Sequence, residues 1–140
     1  MKDRFFLDTN IFVYSFDRNA PPKAAKAKQL IREALTSQKG VISYQVVQEF
    51  LNVALKRFTP PMAAAYAEQY LTTVFRPLLS VHSSMALFSE AVRLQNRARL
   101  AWYDAVIVSA AQQAQCAVLF TEDLQHGQSF GPLRITNPFL

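Results

Sequence analysis

The stretch Phe5-Phe6-Leu7-Asp8-Thr9-Asn10-Ile11-Phe12-Val13-Tyr14 decides how the rest of the chain is read. Phe5-Phe6-Leu7 is a short apolar run of the kind that forms a buried strand. It stops at Asp8-Thr9-Asn10, a cluster that favours turns and helix caps, and apolar residues resume from Ile11 to Phe16. Strand, carboxylate, helix is the opening of an α/β unit, and the same grammar recurs downstream. Asp17 to Pro22 breaks the pattern, and a helix follows from Pro22, because Pro suits a first helical turn. There Ala24, Ala27, Leu30, Ile31, Ala34 and Leu35 recur at steps of three and four, and Gly40 is the expected stop. Val41-Ile42 reads as a second strand, followed by a helix from Tyr44 or Gln45 to Phe58, with Gln45, Gln48, Glu49, Asn52 and Lys56 on its polar side. Thr59-Pro60-Pro61 ends that helix.

A further helix is expected from Met62 to Phe75, an interruption at Pro77 and a third strand over 78–81. Ser83 or Ser84 caps a helix running to about Arg99, and Trp102-Tyr103-Asp104 precedes an apolar helix from Ala105 to Ala114. Ala117 to Phe120 is a fourth strand. Gln125-His126-Gly127 and Gly131-Pro132 read as loop, and Leu133 to Thr136 as a fifth strand. Short apolar strands alternating with helices predict an α/β fold, a short parallel sheet of four to five strands flanked by helices. The expected organisation is a single domain over residues 1–140.

Composition narrows the class. Hydrophobic residues make up 51% of the 140 and charged ones 18%, which excludes an intrinsically disordered chain. No apolar run approaches the roughly 20 residues of a membrane span. Met1-Lys2-Asp3-Arg4 leads into a run too short for a signal-peptide core. The lone Cys116 has no internal partner and no adjacent activator, which fits a small core residue in a reducing cytoplasm. Fifteen Lys and Arg against ten Asp and Glu give +5, a balance that leans towards a polyanionic partner.

The scarce acids stand in particular places. Ligands of open α/β sheets bind beyond the carboxyl ends of the strands. Asp8 follows the first strand and Asp123 the fourth, Asp104 opens a buried helix, and Glu49 lies one turn into the helix after strand two. If those strands are neighbours, the four carboxylates converge. Carboxylates at close range repel one another, and a hard divalent cation relieves the repulsion. Each acid also has a purely structural reading: Asp8 as a helix cap, Asp104 as a first-turn acid, Glu49 as a solvated polar residue, Asp123 as a turn residue. No His-Glu-x-x-His, Cys-x-x-Cys or Gly-x-x-x-x-Gly-Lys pattern supports zinc or a P-loop. His126 and His82 read as loop or strand-end residues. Trp102 and Tyr103 read as core or interface, and Lys23, Lys26 and Lys28 as a solvated face.

Phe6-Leu7-Asp8-Thr9-Asn10-Ile11, Gln48-Glu49-Phe50, Tyr103-Asp104-Ala105-Val106-Ile107 and Thr121-Glu122-Asp123 together resemble the PIN domain, over Phe6 to about Ile135. The chain's size resembles the VapC-type ribonuclease toxins of prokaryotic toxin–antitoxin pairs. The resemblance implies a metal-dependent endoribonuclease in which Asp8, Glu49, Asp104 and Asp123 form an acidic pocket. Asp8 and Asp104 would be the principal ligands of Mg²⁺ or Mn²⁺, and Glu49 and Asp123 would complete the shell partly through water. Asn10 and Thr121 would position them, and a metal-activated water would attack the RNA phosphodiester. It further implies a homodimer and a cognate antitoxin whose tail covers the pocket with an Arg or Lys. Where many relatives carry a further Asp after Asp123, this chain has Leu124-Gln125-His126-Gly127. Two other readings are a small-molecule phosphohydrolase with Asp8 as nucleophile, which lacks its usual second Asp at Asn10, and a non-catalytic RNA-binding module.

Overall fold

The computed structural model describes residues 3–140; Met1 and Lys2, part of the opening read above for a leader, lie outside the described residues. The chain runs β1 (Phe5–Leu7), α1 (Thr9–Tyr14), α2 (Pro21–Ser37), β2 (Gly40–Ser43), α3 (Tyr44–Lys56) and α4 (Ala64–Tyr70). A single π turn, Leu71–Phe75, leads into α5 (Arg76–Leu78) and β3 (Leu79–Val81). α6 (Met85–Ala98), α7 (Trp102–Gln113), β4 (Val118–Phe120), β5 (Ser129–Phe130) and β6 (Leu133–Thr136) complete it.

The strands form one sheet in the order β3-β2-β1-β4-β6-β5. β1 lies inside it, Phe6 pairing in parallel with Val41 on one side and Leu119 on the other. Every pairing is parallel except β5 with β6. The sheet thus has six strands where four to five were expected. The extra one, Ser129–Phe130, is too short to carry any periodicity. It pairs because the chain reverses at Gly131, whose φ of 60° lies in the left-handed region. The sequence from β1 to β3 steps outward in one direction and β4 returns to the other side of β1. The sheet therefore switches direction between β1 and β4, where α/β folds open a crevice at the strands' carboxyl ends.

Local chemistry explains most of the elements. α2 begins at Pro21 and buries Ala24, Ala27, Leu30, Ile31 and Ala34. It stops at Gln38, whose φ of 63° makes the left-handed turn; Gly40 is instead the first residue of β2. Glycine is required there by space, since a Cβ on Gly40 would stand 2.2 Å from the Cβ of Ala34. Pro77 does not interrupt the chain's helical course. The preceding π turn, with Arg76 N–H donating to Leu71 O, carries the helix to a residue that has no N–H of its own. Ser84 caps α6, its Oγ accepting from Leu87 N–H at 3.1 Å. α7 starts at Trp102, three residues earlier than expected, so Asp104 lies within its first turn, and Ala105 to Ala111 are all buried. The largest aromatic cluster gathers on Phe50 of α3, with Phe12, Phe16, Phe58, Tyr70 and Phe75 at centroid distances of 5.2–6.5 Å. It locks α1, α3 and the α4–π segment together. Among the described residues no helix is long and apolar enough to cross a membrane.

Candidate active site

Asp8 leaves β1 at the crevice and is only 5% exposed. Its Oδ1 accepts from Thr9 N–H at 2.7 Å, so it does cap α1. Its Oδ2 accepts from Thr121 Oγ1 at 2.8 Å, across the β1–β4 boundary. The cap therefore uses one oxygen and leaves the other to the site. Burial raises the Asp8 carboxyl to about 7, against the pull of the Thr121 and Thr9 hydrogen bonds, and the nearby charges of Asp123 and Glu49 add to the rise.

Thr121, fully buried just after β4, organises the far side. Its Oγ1 also accepts from Asp123 N–H at 3.0 Å and from Asn10 Nδ2 at 3.3 Å. Asn10 Nδ2 in turn donates to Asp123 Oδ2 at 3.2 Å. One turn into α3, Glu49 Oε1 accepts from Thr9 Oγ1 at 2.7 Å and Oε2 from Gln45 Nε2 at 3.2 Å. Asp104, half-buried in the first turn of α7, has its pKa raised by burial first and then by Asp123 and Glu49. Asp8 and Asp104 thus each lie within electrostatic reach of Asp123 and Glu49, which brings the four predicted acids to the same end of the sheet. Among the described residues no Lys or Arg forms an ion pair with any of them. A cleft of about 450 Å³ opens above, lined by Thr9, Asn10, Tyr14, Glu49, Asn52 and Asp123.

Two contributors were not singled out from sequence. Thr9 ties Asp8 to Glu49, its N–H donating to one and its Oγ1 to the other. Gln45, placed on a polar face by its periodicity, is 4% exposed. Its Nε2 reaches both Glu49 and the carbonyl of Tyr103, at 3.2 Å each, and so fixes α3 against the residue before Asp104. The local signals were the Asp-Thr-Asn run for Thr9 and the i, i+4 spacing to Glu49 for Gln45. Outside the cluster, Glu122 is held by Tyr14 Oη and by Lys23 Nζ at 3.2 Å, so Lys23 is not merely part of a solvated face. His126 Nδ1 accepts from Asn137 N–H at 3.0 Å on the surface, and His82 is exposed. Tyr103 is 67% exposed rather than core, while Trp102 packs on Phe88. Burial pushes the Cys116 thiol up to about 12, which leaves it inert.

The donor set fits a hard cation. It is all oxygen, it is strongly anionic, and two residues bonded to it each keep a buried oxygen without a partner, Asn10 Oδ1 and Gln45 Oε1. Among the described residues no three His, Cys, Asp or Glu side chains are gathered tightly enough to hold an ion on their own. Mg²⁺ does not demand that, since it is commonly bound through one or two carboxylates while keeping several waters.

The chain thus presents a mostly parallel α/β sheet with carboxylates gathered where the strand order reverses between β1 and β4. The chain belongs to the PIN domain family, whose sequence pattern matches residues 5–128. No sequence among curated proteins is significantly similar to it. Among solved structures, a toxin–antitoxin complex from Klebsiella pneumoniae superposes with a TM-score of 0.66 at 22% identity, over 95% of this chain and 96% of that one. FitAcB from Neisseria gonorrhoeae gives 0.66 at 18% identity, over 96% and 98%. VapC20 of Mycobacterium tuberculosis, described as a toxin that cleaves the sarcin–ricin loop, gives 0.59 at 19%, over 82% and 86%. At these identities the likeness is one of fold.

Proposed function

We propose that the protein is a metal-dependent endoribonuclease and the toxin of a toxin–antitoxin pair. The observation that carries this reading is Asp8: a buried carboxylate, raised to about 7, with Asp123 and Glu49 adding to the rise and, among the described residues, no Lys or Arg paired with any of the three. A structural carboxylate would be matched by a base, whereas an unmatched group at a ligand crevice is matched by what it binds. Membership of the PIN domain family and likeness to toxin–antitoxin structures support the same reading.

Asp8 and Asp104 would hold Mg²⁺ or Mn²⁺, with Glu49 and Asp123 completing the shell partly through water. Such an ion, when bound, acidifies water and polarises a phosphoryl oxygen. The chain's part is orientation. Thr121 fixes Asp8 Oδ2, Thr9 and Gln45 fix both oxygens of Glu49, and Asn10 holds Asp123 against Thr121, so these three carboxylates are held in place before RNA arrives. We further propose a homodimer, a cytoplasmic setting, and a cognate antitoxin whose Arg or Lys enters the acidic cleft in place of the ion. Expression of the chain alone tests the toxin reading. Growth arrest by the wild type and normal growth with Asp8→Asn are expected; arrest that survives the substitution contradicts it.

A further inference from the structure

An acidic cleft repels the phosphates it is proposed to cut, so affinity for RNA has to come from surface beside it. Such a surface adjoins it. A groove of about 860 Å³ shares Val13 and Val53 with the acidic cleft. Phe16, Phe58 and Tyr66 line it with aromatic rings, Tyr66 being 50% exposed, and Arg18 and Arg57 stand on its walls. A second hollow of about 780 Å³ continues from it through Phe16, Arg18 and Tyr66 and adds Lys28 and Arg32. All four cations are exposed, and among the described residues none forms an ion pair. Asp17, the acid shared by the two hollows, is engaged locally, with Oδ1 accepting from Asn19 N–H at 2.9 Å.

Resting on the nuclease reading above, we propose that this groove holds a single-stranded segment of the RNA flanking the scissile bond. Bases stack on Tyr66 and Phe58, and phosphates meet Arg18 and Arg57, with Lys28 and Arg32 extending the path. Aromatic platforms interleaved with unpaired cations are how single strands are held without sequence readout, because every base has a π face and every nucleotide a charge. An apolar protein segment would match the rings and leave the four cations unmatched.

The test is binding of a short, labelled single-stranded RNA to an Asp8→Asn background, titrated over a range of salt. Arg18→Ala and Arg57→Ala should each weaken binding about five- to tenfold and reduce the slope of log affinity against log salt by about 0.7, the loss of one phosphate contact. Tyr66→Leu should weaken binding by a similar factor, about five- to tenfold, with the slope unchanged, since it removes stacking and no charge. Arg97→Ala, which changes net charge equally on α6, should alter neither. Groove variants with parental affinity and slope, or a parent that binds no single-stranded RNA, overturn the inference, and the first result would leave the groove to a protein partner. The readout needs no cleavage, so a wild-type chain that cuts no RNA sinks the nuclease reading while this assay still reports on the groove.

Discussion

Asp8 carries three tasks on two oxygens: it caps α1, ties β1 to β4 through Thr121, and holds a charge inside the fold. Its carboxyl stands at about 7 in the folded chain against an ordinary 3.8. The folded state therefore keeps the proton more tightly, so the stability linked to this group is fully present below about pH 4 and is lost as pH rises through 7. Asp104 shifts in the same direction and adds to the loss. Asp8→Asn, which keeps the capping oxygen and drops the charge but turns the acceptor for Thr121 into a donor, should still raise stability to denaturation in metal-free buffer at pH 8, by on the order of 1–3 kcal/mol. The gain should shrink towards pH 4. Equal stability of the two proteins at pH 8 would mean that the Asp8 charge is already matched in the folded chain. At this scale the sequence was informative about which acids stand at strand ends, since a carboxylate directly after a short apolar run is a local pattern. It was silent on Gln45, because what buries that side chain is the arrival of Tyr103, 58 residues away.

The elements that present these residues were readable where periodicity was long enough and obscure where a tertiary contact decided the matter. α2, α3, α6 and β1 follow from apolar spacing and caps, and their starts fall within a residue or two of expectation. In the sequence Gly40 has the look of a helix stop, Gly being the commonest such signal, but Gln38 makes that turn and Gly40 lets β2 lie against Ala34 of α2. A methyl group there meets the Cβ and Cα of Ala34 at 2.2 and 2.7 Å, and neither can rotate away. Gly40→Ala should therefore cost about 1–3 kcal/mol in urea unfolding, the usual penalty of overpacking. Unchanged stability would show that α2 and β2 are not packed that closely. Pro77 predicts an interruption because a plain α-helix cannot accommodate it; the π turn before it supplies a geometry that no single-residue propensity announces.

For the molecule as a whole, the net charge of +5 conceals a separation. Four of the ten acids are collected at the switch point, leaving six against fifteen Lys and Arg elsewhere. The fold brings this about by placing β1 and β4 side by side, so that Asp8 and Asp123, far apart in the chain, meet at one crevice. Base on the groove and acid in the cleft divide the proposed work, one holding the RNA and the other holding the ion that assists its cleavage. The most direct test is cleavage of RNA by purified wild-type and Asp104→Asn proteins in Mg²⁺ or Mn²⁺, with EDTA as control. The account predicts cleavage by the wild type alone, abolished by EDTA, with the folded Asp104→Asn protein slower by at least about a hundredfold, the scale of losing one electrostatic stabiliser. Cleavage by folded Asp104→Asn at the wild-type rate, or wild-type cleavage indifferent to EDTA, would contradict it.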